Sequence, residues 1–183
     1  KDYENALVDE KSRDEWMESS YQWNGGNLKG IIKKLDYLQE MGITGIWLSP
    51  VLKQPSYANS YHGYGIQNFL EIDPHFGTKE DLRDLVDAAH ARGIYVILDI
   101  ILNHTGDVFA YTDQAPYNSR EHQIKGFFDK NKNPTIDPLN PEYNAAWPDG
   151  GIWPQEIFNI ETFSRKGYIN NWDNYPEYIE GDF

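Results

Sequence analysis

Asp99-Ile100-Ile101-Leu102-Asn103-His104 is where an apolar run ends in three polar side chains. Immediately upstream, Gly93 precedes Ile94-Tyr95-Val96-Ile97-Leu98, a β-branched-rich segment that reads as a fully buried parallel strand. An acid, an amide and an imidazole at the exit of such a strand are costly to bury without partners. In parallel α/β folds, ligands bind outside the carboxyl ends of the strands. The stretch therefore reads as one wall of an active site. A strand-end Asp capping a turn beside a surface His would use the same residues for structure alone.

Working outward, the same syntax occurs twice. Leu28, Ile31, Ile32, Leu35, Leu38 and Met41 recur at three- and four-residue spacing, the apolar stripe of one amphipathic helix. Asn27 is its expected N-cap and Gly42 its left-handed C-cap. Ile43 to Leu48 then reads as a buried strand, stopped by Ser49-Pro50. Thr78-Lys79-Glu80-Asp81 resembles a capping box with Asp81 in the acidic position. Leu82, Leu85, Val86 and Ala89 follow as the helix stripe, and Gly93 closes that helix before the strand at 94. Helix, Gly and apolar strand, repeated across a long loop, is the rhythm of an α/β fold with parallel strands.

The loop from Val51 to Gly77 holds Tyr57, Tyr61, His62, Tyr64 and Phe69. Loops that long inside an α/β unit usually carry function. Before the first helix, a short helix is expected around Glu4 to Met17, then a turn-rich loop from Tyr21 to Asn27. After Asp107 the periodicity fades, and residues 105–183 read as an irregular inserted subdomain anchored by Trp147, Trp153 and Trp172.

The chain has 183 residues, enough for one domain and a subdomain. Its formal net charge of −13 lacks the basic stripe that phosphate binding needs, which argues against a nucleic-acid partner. Aromatic residues make up 15%, and rings with flat apolar faces and polar tips suit partly wet binding sites. There is no cysteine, so disulfide scaffolds and thiolate metal sites are excluded. That absence fits the cytoplasm and a secreted protein equally, and leaves the compartment unknown. No apolar window is long enough to span a membrane. The opening Lys1-Asp2-Tyr3 has neither initiator Met nor apolar leader, so an interior start is expected.

Asp99-Ile-Ile-Leu-Asn103-His104 resembles the first shared segment of the α-amylase family of glycoside hydrolases and transglycosidases. Tyr61-His62-Gly63-Tyr64 is similar to that family's sugar-platform segment. Gly25 to Ile31, Gly45 to Pro50 and Ile72 to Thr78 match its phrasing in the same order. The likeness covers about 24 to 107; the region 108–183 resembles domain B in placement more than in sequence.

The resemblance implies a partial (β/α)8 TIM barrel within residues 1–107, contributing two recognisable strands and their helices. It implies a domain B insertion over 108–183, truncated at its end. It assigns Tyr64 as the ring stacking on the sugar, His104 and His62 as further sugar contacts, and Asp99 as the holder of the polar network. It makes Asn103 a candidate calcium ligand, an amide oxygen being suited to a hard cation, and implies no organic cofactor.

The implied partner is an α-glucan or maltooligosaccharide, and the implied chemistry is retaining hydrolysis or transfer of α-linked glucosyl units. Retention requires a carboxylate nucleophile and an acid about 5 Å apart. The family's Gly-x-Arg-x-Asp-like segment does not occur here, so no catalytic residue is assigned and residues 1–183 alone are expected to be inactive. Gly65 stands where many members carry Trp, which implies a more open pocket wall. Two other classes fit parts of the pattern: a non-catalytic barrel relative such as a transporter-partner ectodomain, and a carbohydrate-binding module.

Overall fold

The structure, a computed structural model, describes residues 17, 22, 23, 25–137, 149–157 and 159–182. The chain divides into two compact units, Lys1–Gln54 with Ala58–Gly106, and Pro55–Tyr57 with Asp107–Phe183. Of the helix expected over Glu4 to Met17, only Met17 is described; Tyr21, Asn24 and Trp147 also lie outside the described residues.

In the first unit, the stripe read as one helix is two. Helix α1 is Leu28–Ile32 and α2 is Leu35–Glu40. Asn27 caps α1, its side-chain oxygen accepting from Gly30 N–H at 2.8 Å. The break comes where Lys34 N–H turns to Ile31 O at 2.9 Å, a tighter i→i−3 bond that interrupts α-helical geometry over Lys33-Lys34. Leu28 and Leu35 are buried on one side and Ile31, Ile32 and Leu38 pack partly, but Met41 is exposed and leaves the core.

Both helix-to-strand junctions take the expected form. Gly42 adopts φ +80°, with Gly42 N–H bonded to Gln39 O and Ile43 N–H to Leu38 O. Gly93 repeats this at φ +72°, through His90 O and Ala89 O. The paired 5→2 and 6→1 bonds are a Schellman motif, and they send each chain straight from helix into strand. Helix α3, Lys79–His90, starts with the capping box foreseen: Thr78 Oγ1 accepts from Asp81 N–H and Asp81 Oδ2 from Thr78 N–H, both at 3.1 Å. Lys29 adds an ion pair to Asp81 at 3.2 Å.

Strands β1, Gly45–Leu48, and β4, Tyr95–Leu98, pair in parallel with Gly45 opposite Tyr95 and Leu48 opposite Leu98. The expectation of full burial is corrected. Leu48 is buried and Ile46 and Val96 pack on the helices, whereas Trp47 and Tyr95 are 73% and 72% exposed and Ile97 and Leu98 are also open. Only one face of this two-stranded sheet has helices laid on it, so the apolar residues of the other face meet solvent. No closed barrel forms among the described residues; the unit is a mixed α/β layer around Leu28, Leu35, Leu48, Val51, Leu85, Ala89 and Ile94.

The stretch 51–77, read as a loop, also contains a small antiparallel pair. Strand β2, Leu52–Lys53, runs against β3, Asn68–Ile72, with Leu52 opposite Ile72 and Lys53 opposite Asn68. The pair clamps the intervening turns at their base.

The second unit is more regular than expected. Strands β5, Phe109–Tyr111, β6, Ile124–Phe128, and β7, Pro134–Ile136, form an antiparallel sheet in that order. Its anchors are phenylalanines and tyrosines. Phe109, Tyr111, Phe127 and Phe163 meet edge to face at 5.2–5.8 Å, the preferred arrangement of ring quadrupoles. Trp153 is half-buried, but Trp172 is 55% exposed and is not a core anchor. Helix α4, Glu177–Glu180, follows a loop tied by the buried Glu177 carboxylate, which accepts from Asn170 N–H, Asn171 N–H and Asn174 Nδ2. No helix among the described residues is long and apolar enough to cross a membrane.

Candidate functional site

All four sugar-site candidates lie in the first unit, and the fold brings them together. Strand β4 delivers Asp99 at its carboxyl end, where Asp99 N–H bonds Leu48 O of the neighbouring strand at 3.2 Å. His104 follows, and Gly106 N–H then bonds Ile66 O at 2.8 Å, which pins this exit to the segment that carries Tyr64. Tyr64 donates its hydroxyl to Asp99 Oδ2 at 3.2 Å. His104 Nε2 lies 3.1 Å from the Tyr64 carbonyl oxygen, a bond that requires the proton on Nε2. The Tyr64 N–H donates to His62 Nδ1 at 3.0 Å, and the two rings stack at 5.8 Å between centroids.

The electrostatics follow from these contacts. The Asp99 carboxylate raises the Tyr64 phenol above its ordinary value of 10.0, first through the hydrogen bond and then through its charge. The phenol therefore stays a donor throughout the neutral range. Tyr64 is 43% exposed, so its ring offers a face to solvent while its hydroxyl is held. Such a cluster presents a flat apolar face ringed by acceptor and donor groups, which matches an uncharged polyol better than an ion.

Local backbone geometry makes this placement possible. Gly63 adopts φ +84°, and a Cβ there would lie 2.2 Å from the Pro50 carbonyl oxygen. Only glycine permits so close an approach of the two chains. Gly65 packs closely against its neighbours as well. A Cβ on it would meet Ser60 Oγ at 2.6 Å, and Ser60 is buried, so that space is already filled.

Asn103 exposes its amide at the strand exit. Among the described residues no three His, Cys, Asp or Glu side chains gather into a set able to hold a cation. Calcium also takes amide and backbone carbonyl oxygens, and the Asn103 side chain offers one of the former.

Sequence reasoning assigned no role to Asp73. Its buried carboxylate accepts from Gln54 N–H at 3.0 Å and His75 N–H at 2.9 Å, and lies 2.7 Å from His75 Nδ1. The Asp-Pro dipeptide signals a turn, and nothing in it announces a hub.

The family described as "Alpha amylase, catalytic domain" matches residues 6–166. The chain belongs to this family. It is 36% identical over 166 residues to an alpha-amylase of Streptomyces lividans, covering 84% of this chain and 18% of that one. It is 37% identical over 163 residues to an oligo-1,6-glucosidase of Heyndrickxia coagulans, covering 85% and 28%. Among solved structures it resembles the alpha-amylase of Geobacillus thermoleovorans complexed with acarbose, at TM-score 0.55 and 31% identity, over 89% of this chain and 27% of that one. The chain thus spans 18–28% of the length of these relatives, and its fold is part of the alpha-amylase catalytic-domain fold.

Proposed function

We propose that these residues form the sugar-holding side of a retaining α-glucan-active glycoside hydrolase or transglycosidase. The observation that carries the reading is the single hydrogen-bonded cluster of Tyr64, Asp99, His62 and His104 at the exit of β4. The acarbose complex of the Geobacillus alpha-amylase supports an α-glucan-like ligand for this fold.

In this reading the Tyr64 ring stacks on one glucosyl unit and is kept from rotating by its hydroxyl bond to Asp99. His104 and His62 offer imidazole edges to the sugar's hydroxyl groups. Asp99 holds the network and is not the nucleophile. Retaining hydrolysis places an acid and a nucleophile about 5 Å apart, one protonating the leaving oxygen and the other forming a glycosyl-enzyme that water or an acceptor sugar then releases. No segment of the 183 residues matches the family's nucleophile motif, so residues 1–183 alone bind and orient without turning substrate over. Residues 108–183 are read as domain B. A calcium ion, where the family has one, would take a single amide oxygen from Asn103 and the remainder elsewhere.

Two measurements test this. Maltotriose titrated against the natively expressed protein should bind, and Tyr64→Ala and His104→Ala should each weaken binding by about tenfold or more, as expected for removing a stacking face or a hydrogen-bonding edge. Purified residues 1–183 should show no turnover of a maltooligosaccharide above a His104→Ala control. Unchanged affinity in both variants would remove the sugar site; turnover by the 183-residue chain would place catalytic carboxylates within it.

A further inference from the structure

The peptide that joins Gly63 to Tyr64 is bound at both of its polar groups. On one edge Tyr64 N–H donates to His62 Nδ1 at 3.0 Å. On the other, Gly63 C=O accepts from Nε2 of Gln54 at 3.0 Å. Gln54 lies just beyond β2, outside every motif legible in the sequence, and is 3% exposed. Its Nε2 also donates to Leu52 O at 2.7 Å, and its backbone N–H to Asp73 Oδ2 at 3.0 Å. The side chain is thus held by its own strand and the backbone by a buried carboxylate, with one side-chain donor left to reach across to Gly63.

The other end of this amide is a cost to the fold. Gln54 Oε1 is buried without a hydrogen-bond partner among the described residues. A buried unpaired acceptor is destabilising, and an apolar side chain of the same shape would avoid it. An amide is nevertheless kept here for its two N–H donors, which satisfy the Leu52 and Gly63 carbonyls that an apolar side chain would leave bare. Fixing a peptide plane at both edges removes rotation about the bonds that set where the next side chain points.

We infer that Gln54 is a positioning residue: by gripping the Gly63 carbonyl it sets the pose of the Tyr64 ring toward Asp99 and toward a bound sugar. Its consequence for sugar binding rests on the proposed function; the positioning itself does not. Gln54 touches neither Tyr64's ring nor any reacting atom. It acts through one peptide group.

The test uses the natively expressed protein and two variants of similar shape that lack the donor at neutral pH, Gln54→Met and Gln54→Glu; a folded sample of either suffices. Three readouts are taken: titration of the Tyr64 phenol by 13Cζ-tyrosine NMR, assigned with Tyr64→Phe; hydrogen exchange at Tyr64 N–H against amides of α3; and maltotriose affinity. The phenol midpoint should fall back toward 10.0 as the Asp99 bond loosens, and Tyr64 exchange should accelerate while α3 amides keep their protection. Affinity should drop about tenfold, since a displaced ring stacks less well on the sugar. If Tyr64 titrates and exchanges as in wild type, or all amides lose protection together, the positioning role is overturned. If the Tyr64 signals move but wild type never binds maltotriose, Gln54 keeps its role and the sugar reading falls.

Discussion

Replacing Gly63 by alanine is the sharpest perturbation of this site, because a second glycine supplies its control. Gly63 and Gly42 have nearly the same left-handed backbone, φ +84° and +80°. A Cβ at either position meets the intrinsic penalty of that region, about 1–2 kcal/mol. At Gly42 nothing lies within 4 Å of the added atom, so the penalty is the whole effect. At Gly63 the added atom lies 2.2 Å from Pro50 O, 3.1 Å from Pro50 C and 3.2 Å from Pro50 Cβ. The obstacle is backbone, and Pro50 is itself buried, so the chains must separate by about 0.8 Å rather than turn a side chain aside. Overpacking of that kind adds about 1–3 kcal/mol. Gly63→Ala should therefore cost about 2–5 kcal/mol against about 1–2 for Gly42→Ala. Urea unfolding followed by far-ultraviolet circular dichroism measures the difference, and maltotriose titration shows whether Tyr64 moved with its neighbour. Equal destabilisation by the two variants would refute the close approach to Pro50. Unchanged affinity in a destabilised Gly63→Ala would refute the coupling of that turn to the site.

Other expectations follow from particular contacts. Thr78→Ala removes one half of the capping box and should lower stability by about 1 kcal/mol in the same urea assay, with Thr78→Ser restoring most of it. Tyr64→Phe keeps the ring and deletes the bond to Asp99; maltotriose should bind more weakly than to wild type but better than to Tyr64→Ala, and an order reversed between the two variants would contradict the stacking role. The Asn174 amide, followed by the backbone N–H groups of Asn170 and Asn171, holds the Glu177 carboxyl below its ordinary value of 4.5. Because its folded value is depressed, its contribution is complete above about pH 4.5 and is lost as pH falls through the folded value. Protection factors at Asn170 and Asn171, corrected for the intrinsic pH dependence of exchange, should fall on acidification through that window, and Glu177→Gln should flatten the dependence. In the isolated 183-residue chain, Trp47 and Leu102, 73% and 82% exposed, should accept Ser with less than about 0.5 kcal/mol change in stability and reduced dye binding to exposed apolar surface.

Local rules carried far in this chain. Both glycine-terminated junctions, the Thr78 capping box, the Asn27 cap and the parallel partnership of the two apolar strands were legible, because each depends on residues within one turn or on a simple period. The likeness to the alpha-amylase family was legible too, since several short segments fell in one order. Burial of the strands was not: an apolar run states what a strand prefers to touch, and only the tertiary arrangement states which face has a helix over it. Tryptophan was overrated as an anchor for the second unit, because ring size says nothing about orientation, and the smaller rings of Phe109, Phe127 and Phe163 found edge-to-face partners instead.

The candidate site divides in the same way. Asp99 and His104 stood out at the exit of an apolar strand, and the resemblance to the alpha-amylase family singled out Tyr64 and His62. The bonds among them, the roles of Gln54 and Asp73, and the filling of space beside Gly65 by Ser60 came from the tertiary structure alone. Sequence determines which groups a chain can offer and the helices, caps and strands it forms locally, since those depend on short-range torsions and periodicity. Which carbonyl a buried amide grips depends on where two distant backbones pass each other, and that is decided only when the core has packed.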